Sequence, residues 1–378
     1  MKKTVCGSAA PLLDNIETSC KEQSVPKLNN INVFPASDDK KLSTALESAA
    51  YYKKLSYVVS DCLSACAPEY KDTSEYLAGI VPLRDAAYKI NACGTRIGFS
   101  DSGEILTANF CRLRVCPMCQ RRRSLRVAAD FHKIIDSLDC SWLHLVLTVP
   151  NCSADELSGL LDTMQVCSSR LFRMDIIKKA FKGVARCTEI SYNFARDDYH
   201  PHFHCLVAVN KSYFKSRYYI NILLLRKLWT VICNSAFSGV NVRSKNDTYF
   251  CEMVDNFDDD IDVLYQCHIG KADDNAIAEI AKYAVKPLDL GLSGSALYKP
   301  LCVIYFALHG RRLIQTYGEV KRAASALRVG FDTLSENDDG KLDRTNVRLY
   351  NWDSSVGSYI SDSLFSSATP FTQFYKKV

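Results

Sequence analysis

The segment Tyr199–Asn210, with the sequence YHPHFHCLVAVN, constrains the fold more than any other part of the chain. Its second half is a continuous apolar run, which is typical of a buried strand. Its first half holds three of the seven histidines in the chain, His200, His202 and His204. Because alternate side chains of a strand point to the same face of a sheet, we expect His202 and His204 to project together while the residue between them points into the core.

Two neutral imidazoles at this spacing can bind one divalent metal ion from the surface of a sheet. The alternative is two polar residues on a half-exposed strand, but three histidines within five residues favour the metal site. Pro201 cannot donate a ladder hydrogen bond, so the strand is expected to begin after it and His200 to lie outside the site. His144, on an earlier predicted strand, is interpreted as a core or edge residue rather than a ligand.

A third metal ligand is expected on the preceding predicted strand, where Glu189 can reach across a hairpin or can equally be a surface residue. One carboxylate beside two imidazoles, with coordination positions left open, suits Mg²⁺ or Mn²⁺ bound to a phosphate oxygen. The two strands, residues 184–193 and 202–210, are separated by the polar turn FARDDYHP and predict an antiparallel hairpin.

The rest of the chain predicts a mixed α and β protein. A strand is predicted over residues 140–151, since Pro150 and Asn151 end its apolar run. Ser153 and Glu156 form a capping-box pattern at the start of a predicted helix. Helices are predicted over residues 42–66, 153–183, 218–237 and 273–286.

Four cysteines, Cys93, Cys111, Cys116 and Cys119, form a second candidate metal site. Cys116 and Cys119 belong to a CPMC knuckle, and four thiolates can form a closed tetrahedral zinc site. A closed site has no open coordination position, so its role would be structural. The alternatives are a group of buried free thiols, which pack as small hydrophobic side chains, and a redox-active pair, which the surrounding sequence disfavours.

The knuckle lies in a basic segment, residues 111–126, which contains six arginines and no acidic residue. A local basic patch predicts a polyanionic partner such as nucleic acid, with Arg121, Arg122 and Arg123 as the candidate DNA contacts. The alternative is a solvated charged face. The net charge of the chain is only +5, so the distribution of charge is more informative than its total.

Length and cysteine usage limit the class of protein further. A chain of 378 residues is long enough for two or three domains. Its 17 cysteines are an odd number and no secretory signal is evident, which indicates a cytoplasmic location with free thiols. No apolar run approaches the roughly 20 residues of a membrane-spanning helix, so no membrane partner is expected.

The predicted helix at residues 273–286 contains the sequence AIAEIAKYAVK. Glu279 and Tyr283 are four residues apart and share a helix face, and Lys286 lies about one turn after the tyrosine. A tyrosine hydroxyl becomes a nucleophile when its pKa is lowered or a base takes its proton, and nearby lysines favour the phenolate. The alternative is an ordinary charged helix surface.

In order along the chain, five segments resemble the replication initiators of small rolling-circle plasmids, which are HUH endonucleases with a single catalytic tyrosine. The order and co-occurrence of the segments carry the resemblance, which spans roughly residues 93–320. The segments are FCRLRVCPMCQRRRSLR, LHLVLTVPN, HPHFHCLVAVN, EIAKYAVK and YFALHGRRLIQTYG.

The resemblance implies a site-specific endonuclease that nicks and joins one DNA strand at a plasmid origin. It implies Tyr283 as the nucleophile that stays joined to the 5′ end, and His202 and His204 as ligands of the metal that polarises the phosphate. Glu279 would activate water for the final cut, and Lys286 would steady the phosphate. The implied partners are plasmid origin DNA, a host helicase and a host polymerase that extends the freed 3′ hydroxyl.

The implied fold is α+β, with a central antiparallel sheet and helices on one side in the ferredoxin-like or RRM-like arrangement, preceded by a small zinc-ribbon-like module of four cysteines. The histidine hairpin is expected at the centre of the sheet. The expected regions are a variable, partly disordered N-terminal region (1–75), the cysteine module (76–126), the endonuclease domain (127–325) and a loosely ordered C-terminal tail (326–378).

Three other functions share some of these features. A transposase of the same superfamily commonly carries two tyrosines on the helix, whereas position 279 here is glutamate. A conjugative relaxase usually has its tyrosine near the N-terminus. A non-catalytic zinc-ribbon DNA-binding regulator would use the histidines as a second structural zinc site and the tyrosine helix only for packing.

Overall fold

The computed structural model describes residues 38–69, 80–100, 102–258, 264–281, 298–331 and 347–361. They form helices and antiparallel strands, which confirms the predicted α+β class. The strands are β1 (Arg96–Phe99), β2 (Ile105–Ala108), β3 (Ser141–Thr148), β4 (Phe181–Asn193), β5 (Asp198–Val209), β6 (Cys267–Lys271), β7 (Ile314–Tyr317), β8 (Arg348–Asp353) and β9 (Ser358–Ser361). The helices are α1 (Asp38–Cys66), α2 (Leu83–Ala92), α3 (Pro117–Ser137), α4 (Leu157–Leu171), α5 (Asp175–Ala180), α6 (Ile222–Phe237), α7 (Asp247–Asp255), α8 (Asp274–Ala281), α9 (Tyr298–Ala307) and α10 (Gly318–Ala326).

The larger sheet has five strands in the order β6-β3-β5-β4-β7. β4 and β5 form the predicted hairpin, in which Glu189 lies directly opposite His202. β5 is the central strand, because β3 pairs along its other edge. The expected central position of the histidine hairpin is therefore confirmed.

Helices cover both faces of this sheet. Phe203, Cys205 and Val207 of β5 belong to an apolar layer with α4, α5 and α6. Leu206 and Ala208, on the opposite face, belong to a second layer with α3, α8 and α10. The expectation of helices on one side only is wrong, because a continuous apolar run such as CLVAV has side chains to bury on both faces of the sheet.

β5 begins at Asp198 and includes Pro201, so the predicted start of this strand after the proline is wrong. The backbone of Tyr199 exchanges both hydrogen bonds with Cys152, on the β3 side. Backbone groups two residues apart in a strand point the same way, so the nitrogen of Pro201 also faces that side. β3 has already ended there, at Thr148, and the missing N–H costs no ladder hydrogen bond.

The predicted helix at residues 153–183 is two helices, α4 and α5, followed directly by β4. A long-range contact lies at the break between them. The carboxylate of Asp247 accepts a hydrogen bond from the backbone N–H of Asp175 at 2.7 Å and from the guanidinium of Arg170 at 2.5 Å. At the start of this region the predicted capping box is partly present, since Glu156 accepts from the backbone N–H of Ser153 at 2.9 Å.

A second, four-stranded sheet has the order β2-β1-β8-β9 and belongs to the cysteine module. β8 and β9 fall in the region predicted as a loosely ordered tail, and that prediction is wrong for them. β8 pairs along β1, and the hydroxyl of Tyr359 in β9 donates to the carbonyl oxygen of Gly94 at 2.6 Å. This strand pairing spans some 250 residues of sequence, which local patterns do not reveal.

α1 confirms the helix predicted at residues 42–66 and packs into the core of the cysteine module. Its buried Cys62 and Leu63 share one apolar cluster with Ile90, Ile97 and Phe99. The helix therefore stabilises the module through hydrophobic burial.

The close approach of β4 to α10 gives a stability prediction. A Cβ added at Gly183 would lie 2.5 Å from the backbone nitrogen of Val320, whereas a Cβ at Gly159 in α4 would meet nothing within 4 Å. We expect Gly183→Ala to lower the free energy of unfolding by about 1–3 kcal/mol. Gly159→Ala should raise it by about 0.5–1 kcal/mol, since alanine is the better helix former. Urea unfolding of both variants checks this, and equal effects of the two changes would contradict the packing.

Candidate active site and cysteine module

Three side chains from the central hairpin converge on one face of the sheet. His202 and His204 alternate along β5, and Glu189 projects from β4 opposite His202. One carboxylate oxygen of Glu189 lies 2.9 Å from Nε2 of His204 and 3.6 Å from Nε2 of His202. The two Nε2 atoms are 3.1 Å apart. The structure therefore brings together the three residues that sequence analysis proposed as metal ligands.

These distances fit a single divalent cation. The circle through the three donor atoms has a radius of about 1.9 Å, which is shorter than metal–nitrogen and metal–oxygen bonds of about 2.1 Å. One ion can therefore contact all three donors at once. A set of two imidazoles and one carboxylate suits Mn²⁺ well and also accommodates Mg²⁺.

The carboxylate of this trio is buried in the sheet, with Glu189 only 2% exposed. Burial by itself raises the pKa of the Glu189 carboxyl, but hydrogen bonds with His202 and His204 outweigh it and hold the pKa well below its usual range. The residue is therefore ionised at neutral pH, which is the state that a cation requires.

His144 of β3 is a member of this site that sequence analysis assigned to the core or to a strand edge. Its Nε2 lies 3.0 Å from Nδ1 of His204, and the two rings stack with centroids 5.2 Å apart. Burial lowers the pKa of His144 to about 4, so its ring is neutral and can donate or accept. This contact fixes the orientation of His204 and leaves its Nε2 directed at the trio. Sequence analysis could have found this contact only from the register of β3 with β5, in which Val146 lies opposite His204.

Removal of this contact is expected to weaken metal binding. Partners that orient a ligand imidazole typically contribute about 10- to 100-fold to metal affinity. We therefore expect His144→Ala to weaken Mn²⁺ binding by at least about tenfold, with less loss in His144→Gln, which keeps a hydrogen-bonding group. Isothermal titration with Mn²⁺ measures the effect, and the exposed His132→Ala is the control. Equal affinities in His144→Ala and His132→Ala would show that the contact has no role.

His200 lies beside the trio but is not one of its donors. Its Nδ1 is 2.7 Å from the side-chain oxygen of Asn151, and its ring stacks on His202 with centroids 5.2 Å apart. The prediction that His200 lies outside the metal site agrees with this geometry. The predicted start of the strand after Pro201 does not, since β5 already begins at Asp198.

The helix α8 packs on the same face of the sheet as the trio. Ile277 and Ile280 are buried in the apolar layer that contains Leu206 of β5. Glu279 is half-buried, and its carboxylate lies close enough to His144 to oppose the lowering of the pKa of that histidine by burial. Tyr283 and Lys286 lie outside the described residues, whose last member on this helix is Ala281.

The four predicted cysteine ligands also meet. The sulfur of Cys119 lies 3.6 Å from that of Cys93 and 3.7 Å from that of Cys111, and Cys116 belongs to the same group. Sulfurs bound to one tetrahedral zinc ion at about 2.3 Å are about 3.8 Å apart, so the cluster fits this ion. Burial opposes ionisation of Cys116, but the neighbouring thiols lower the pKa of its thiol well below the usual value.

Backbone and lysine donors surround these sulfurs. The N–H of Cys111 donates to the sulfur of Cys93 at 3.3 Å, and the N–H of Arg112 donates to the sulfur of Cys119 at 3.2 Å. Lys53 of α1 is fully buried, and its ammonium donates to the carbonyl oxygen of Cys93 at 2.9 Å. The two backbone N–H donors stabilise negative charge on the sulfurs directly, and the ammonium of Lys53 attracts that charge through space.

The three candidate DNA-binding arginines differ in their surroundings. Arg123 is only 8% exposed, and its guanidinium donates to the carbonyl oxygens of Arg112 and Leu113. It therefore holds the cysteine loop in place and exposes little surface to DNA. Arg121 and Arg122 are half-buried, and the guanidinium of Arg122 lies 4.6 Å from the ring centroid of Phe110.

A family model described as replication protein matches residues 102–360. The chain belongs to this replication protein family. The match confirms the resemblance to plasmid rolling-circle replication initiators and assigns the chain to plasmid replication initiation. It also extends beyond residue 320, where the resemblance ends, and it covers β8 and all but the last residue of β9.

Curated members of this replication protein family align over most of their own length. A "Protein rep" from Bacillus sp. is 28% identical over 303 residues, which are 74% of this chain and 92% of the relative. A "Protein rep" from Bacillus amyloliquefaciens is 27% identical over 293 residues, covering 72% and 84%. A "Protein rep" from Staphylococcus aureus is 32% identical over 189 residues, covering 46% and 82%.

No solved structure matches the chain, so its assignment to the HUH fold stays a prediction. Among the described residues, no helix has the length and apolar character needed to cross a membrane.

Proposed function

We propose that this replication initiator nicks one strand of its plasmid origin DNA with Tyr283 as nucleophile. The observation that carries the proposal is the convergence of Glu189, His202 and His204 on the sheet face against which α8 packs. Tyr283 follows two residues after Ala281, the last described residue of α8. A metal trio beside a helix that Tyr283 closely follows in sequence supports an HUH endonuclease better than a regulator without catalysis.

In the proposed reaction the hydroxyl oxygen of Tyr283 attacks the scissile phosphorus. The bond from phosphorus to the 3′ oxygen breaks, the tyrosine loses its proton, and the departing oxygen gains one and becomes the 3′ hydroxyl primer. Mg²⁺ or Mn²⁺ held by Glu189, His202 and His204 would polarise the phosphate as a Lewis acid. Lys286 would steady the phosphate charge.

The remaining residues serve later or more distant steps. Glu279 would act as a general base on water in the final cleavage, which makes a second tyrosine unnecessary. The cysteine module, with structural Zn²⁺, would hold Arg121 and Arg122 against the DNA backbone. A host helicase would unwind the nicked duplex, and a host polymerase would extend the primer.

A nicking assay tests this proposal. Supercoiled DNA that carries the protein's own replicon is incubated with Mn²⁺ and either wild type, Tyr283→Phe or Tyr88→Phe. We expect wild type and Tyr88→Phe, a change on the exposed face of α2, to relax the DNA and to form a covalent adduct. Tyr283→Phe should form neither product while binding the DNA normally. Nicking by Tyr283→Phe would assign the nucleophile elsewhere, and DNA binding without nicking by any of the three would favour a regulator.

A further inference from the structure

A basic and aromatic surface follows the central strand at the end opposite to the metal trio. Between Asp198 and Asp247 the chain contains no acidic residue but seven lysines and arginines. Three of the seven, Lys211, Lys215 and Arg217, fall in the loop between β5 and α6, and Lys211 pairs with Asp139. This loop therefore carries net positive charge.

Three aromatic rings of the same loop are exposed, and one of them belongs to phenylalanine, a residue that is usually buried. Phe214 is 66% exposed, Tyr219 is 46% exposed and Tyr218 is 39% exposed. The rings of Phe214 and Tyr219 have centroids 5.9 Å apart, and the guanidinium of Arg217 lies 4.8 Å from the ring centroid of Tyr218. We call Phe214, Tyr218 and Tyr219, with Lys215 and Arg217, the aromatic platform.

The platform is held in shape by a buried residue beneath it. Tyr213 is 2% exposed, and its hydroxyl donates to the carbonyl oxygen of Ile220 at 3.2 Å while accepting from the N–H of Ile220 at 3.3 Å. Its ring also contacts Phe214 and Tyr219, with centroids 5.2 and 5.3 Å away. These contacts close the loop and fix the rings before any ligand binds, which reduces the entropy lost on binding.

We propose that the aromatic platform binds single-stranded DNA without sequence preference, at a second site separate from the metal trio. Bases stack on exposed aromatic rings, and ammonium and guanidinium groups neutralise the phosphates between them. The absence of acidic residues over the whole segment is what a polyanion requires, whereas a protein partner would not demand it. Val209, the last residue of β5, comes five residues after His204, so the loop that carries the platform begins about 17 Å from the trio along the strand.

The inference deepens the proposed function, because the site would hold the strand that nicking and unwinding expose. Its test does not need nicking. The probe is a labelled oligonucleotide of twenty thymidines, whose binding is followed by fluorescence anisotropy. We expect Phe214→Ala and Tyr219→Ala each to weaken binding by about fivefold or more, as removal of a stacking ring does. Lys215→Ala combined with Arg217→Ala should reduce the slope of log affinity against log salt by about 1.4.

Tyr88→Ala is the matched control, because Tyr88 is also 66% exposed but lies on α2. It should keep wild-type affinity, and thermal unfolding should show that every variant is folded. Affinities of Phe214→Ala and Tyr219→Ala within twofold of Tyr88→Ala, or an unchanged salt slope in the double variant, would overturn the proposal. Tyr283→Phe should bind the oligonucleotide as wild type does. Platform-dependent binding by a protein that never nicks would leave this inference in place and remove only the proposed function.

Discussion

Replacement of His204 by alanine is expected to slow metal-dependent nicking by about a thousandfold or more, since polarisation of a phosphate by a metal ion contributes several kcal/mol. His204 is central to the trio, because its Nε2 lies 2.9 Å from Glu189 and 3.1 Å from His202 while its Nδ1 meets His144. Its loss removes one ligand and the nearer of the two histidines that contact the buried Glu189 carboxylate. Single-turnover nicking of supercoiled DNA over a range of Mn²⁺ concentrations measures the change.

Further variants test whether the loss of nicking arises from loss of the metal ion. Glu189→Gln should cause a loss of the same order, and the double variant with His204→Ala should be little worse than either change alone, because both act through one ion. His132→Ala, an exposed histidine on α3, should nick at the wild-type rate. If His204→Ala nicks within tenfold of wild type at saturating Mn²⁺, the trio does not hold the catalytic metal.

Cys119→Ser is expected to remove the bound zinc and to lower the melting temperature by about 10 °C or more, because structural zinc sites contribute folding free energy directly. The sulfur of Cys119 lies within 3.7 Å of two other sulfurs and accepts the N–H of Arg112. The cysteine cluster packs against α1, α2 and β9. Loss of the zinc ion should therefore loosen the contacts of α1 and of β9, which lie near the two ends of the described chain. Zinc content by mass spectrometry and thermal unfolding by circular dichroism give the two readouts.

The control is Cys251→Ser, which changes a half-buried cysteine on α7 outside the module. It should retain one zinc ion per chain and unfold within a few degrees of wild type. Wild-type protein that contains no zinc after purification under reducing conditions, or Cys119→Ser protein that still contains one, would refute the structural zinc site.

Local patterns were sufficient to predict the elements that carry the candidate chemistry. The alternation of His202 and His204 and the polar turn before them predicted the hairpin and its metal-binding face, and Glu189 followed from its place on the preceding strand. The CPMC knuckle likewise predicted the cluster of sulfurs. In each case a few consecutive residues are enough to show the spacing that a strand or a metal-binding knuckle requires.

The features that the sequence did not reveal come from contacts that local patterns do not specify. His144 contacts His204 only because of the register of β3 with β5, which no local pattern specifies. β8 and β9 complete a sheet whose first strand lies some 250 residues earlier, and the carboxylate of Asp247 contacts the chain where one predicted helix became two. Arg123 lies in the basic segment that predicts DNA contacts, but its guanidinium donates to the carbonyl oxygens of Arg112 and Leu113.

Peptide mapping of the covalent adduct identifies the residue that bonds to DNA, which we propose to be Tyr283. Wild-type protein is trapped on replicon DNA with Mn²⁺, digested with nuclease and trypsin, and analysed by tandem mass spectrometry. Cleavage after Lys282 yields a peptide that begins at Tyr283 and also contains Tyr298 and Tyr305. We expect a nucleotide on Tyr283 alone. A nucleotide on either of the other tyrosines, or on any other peptide, would contradict it.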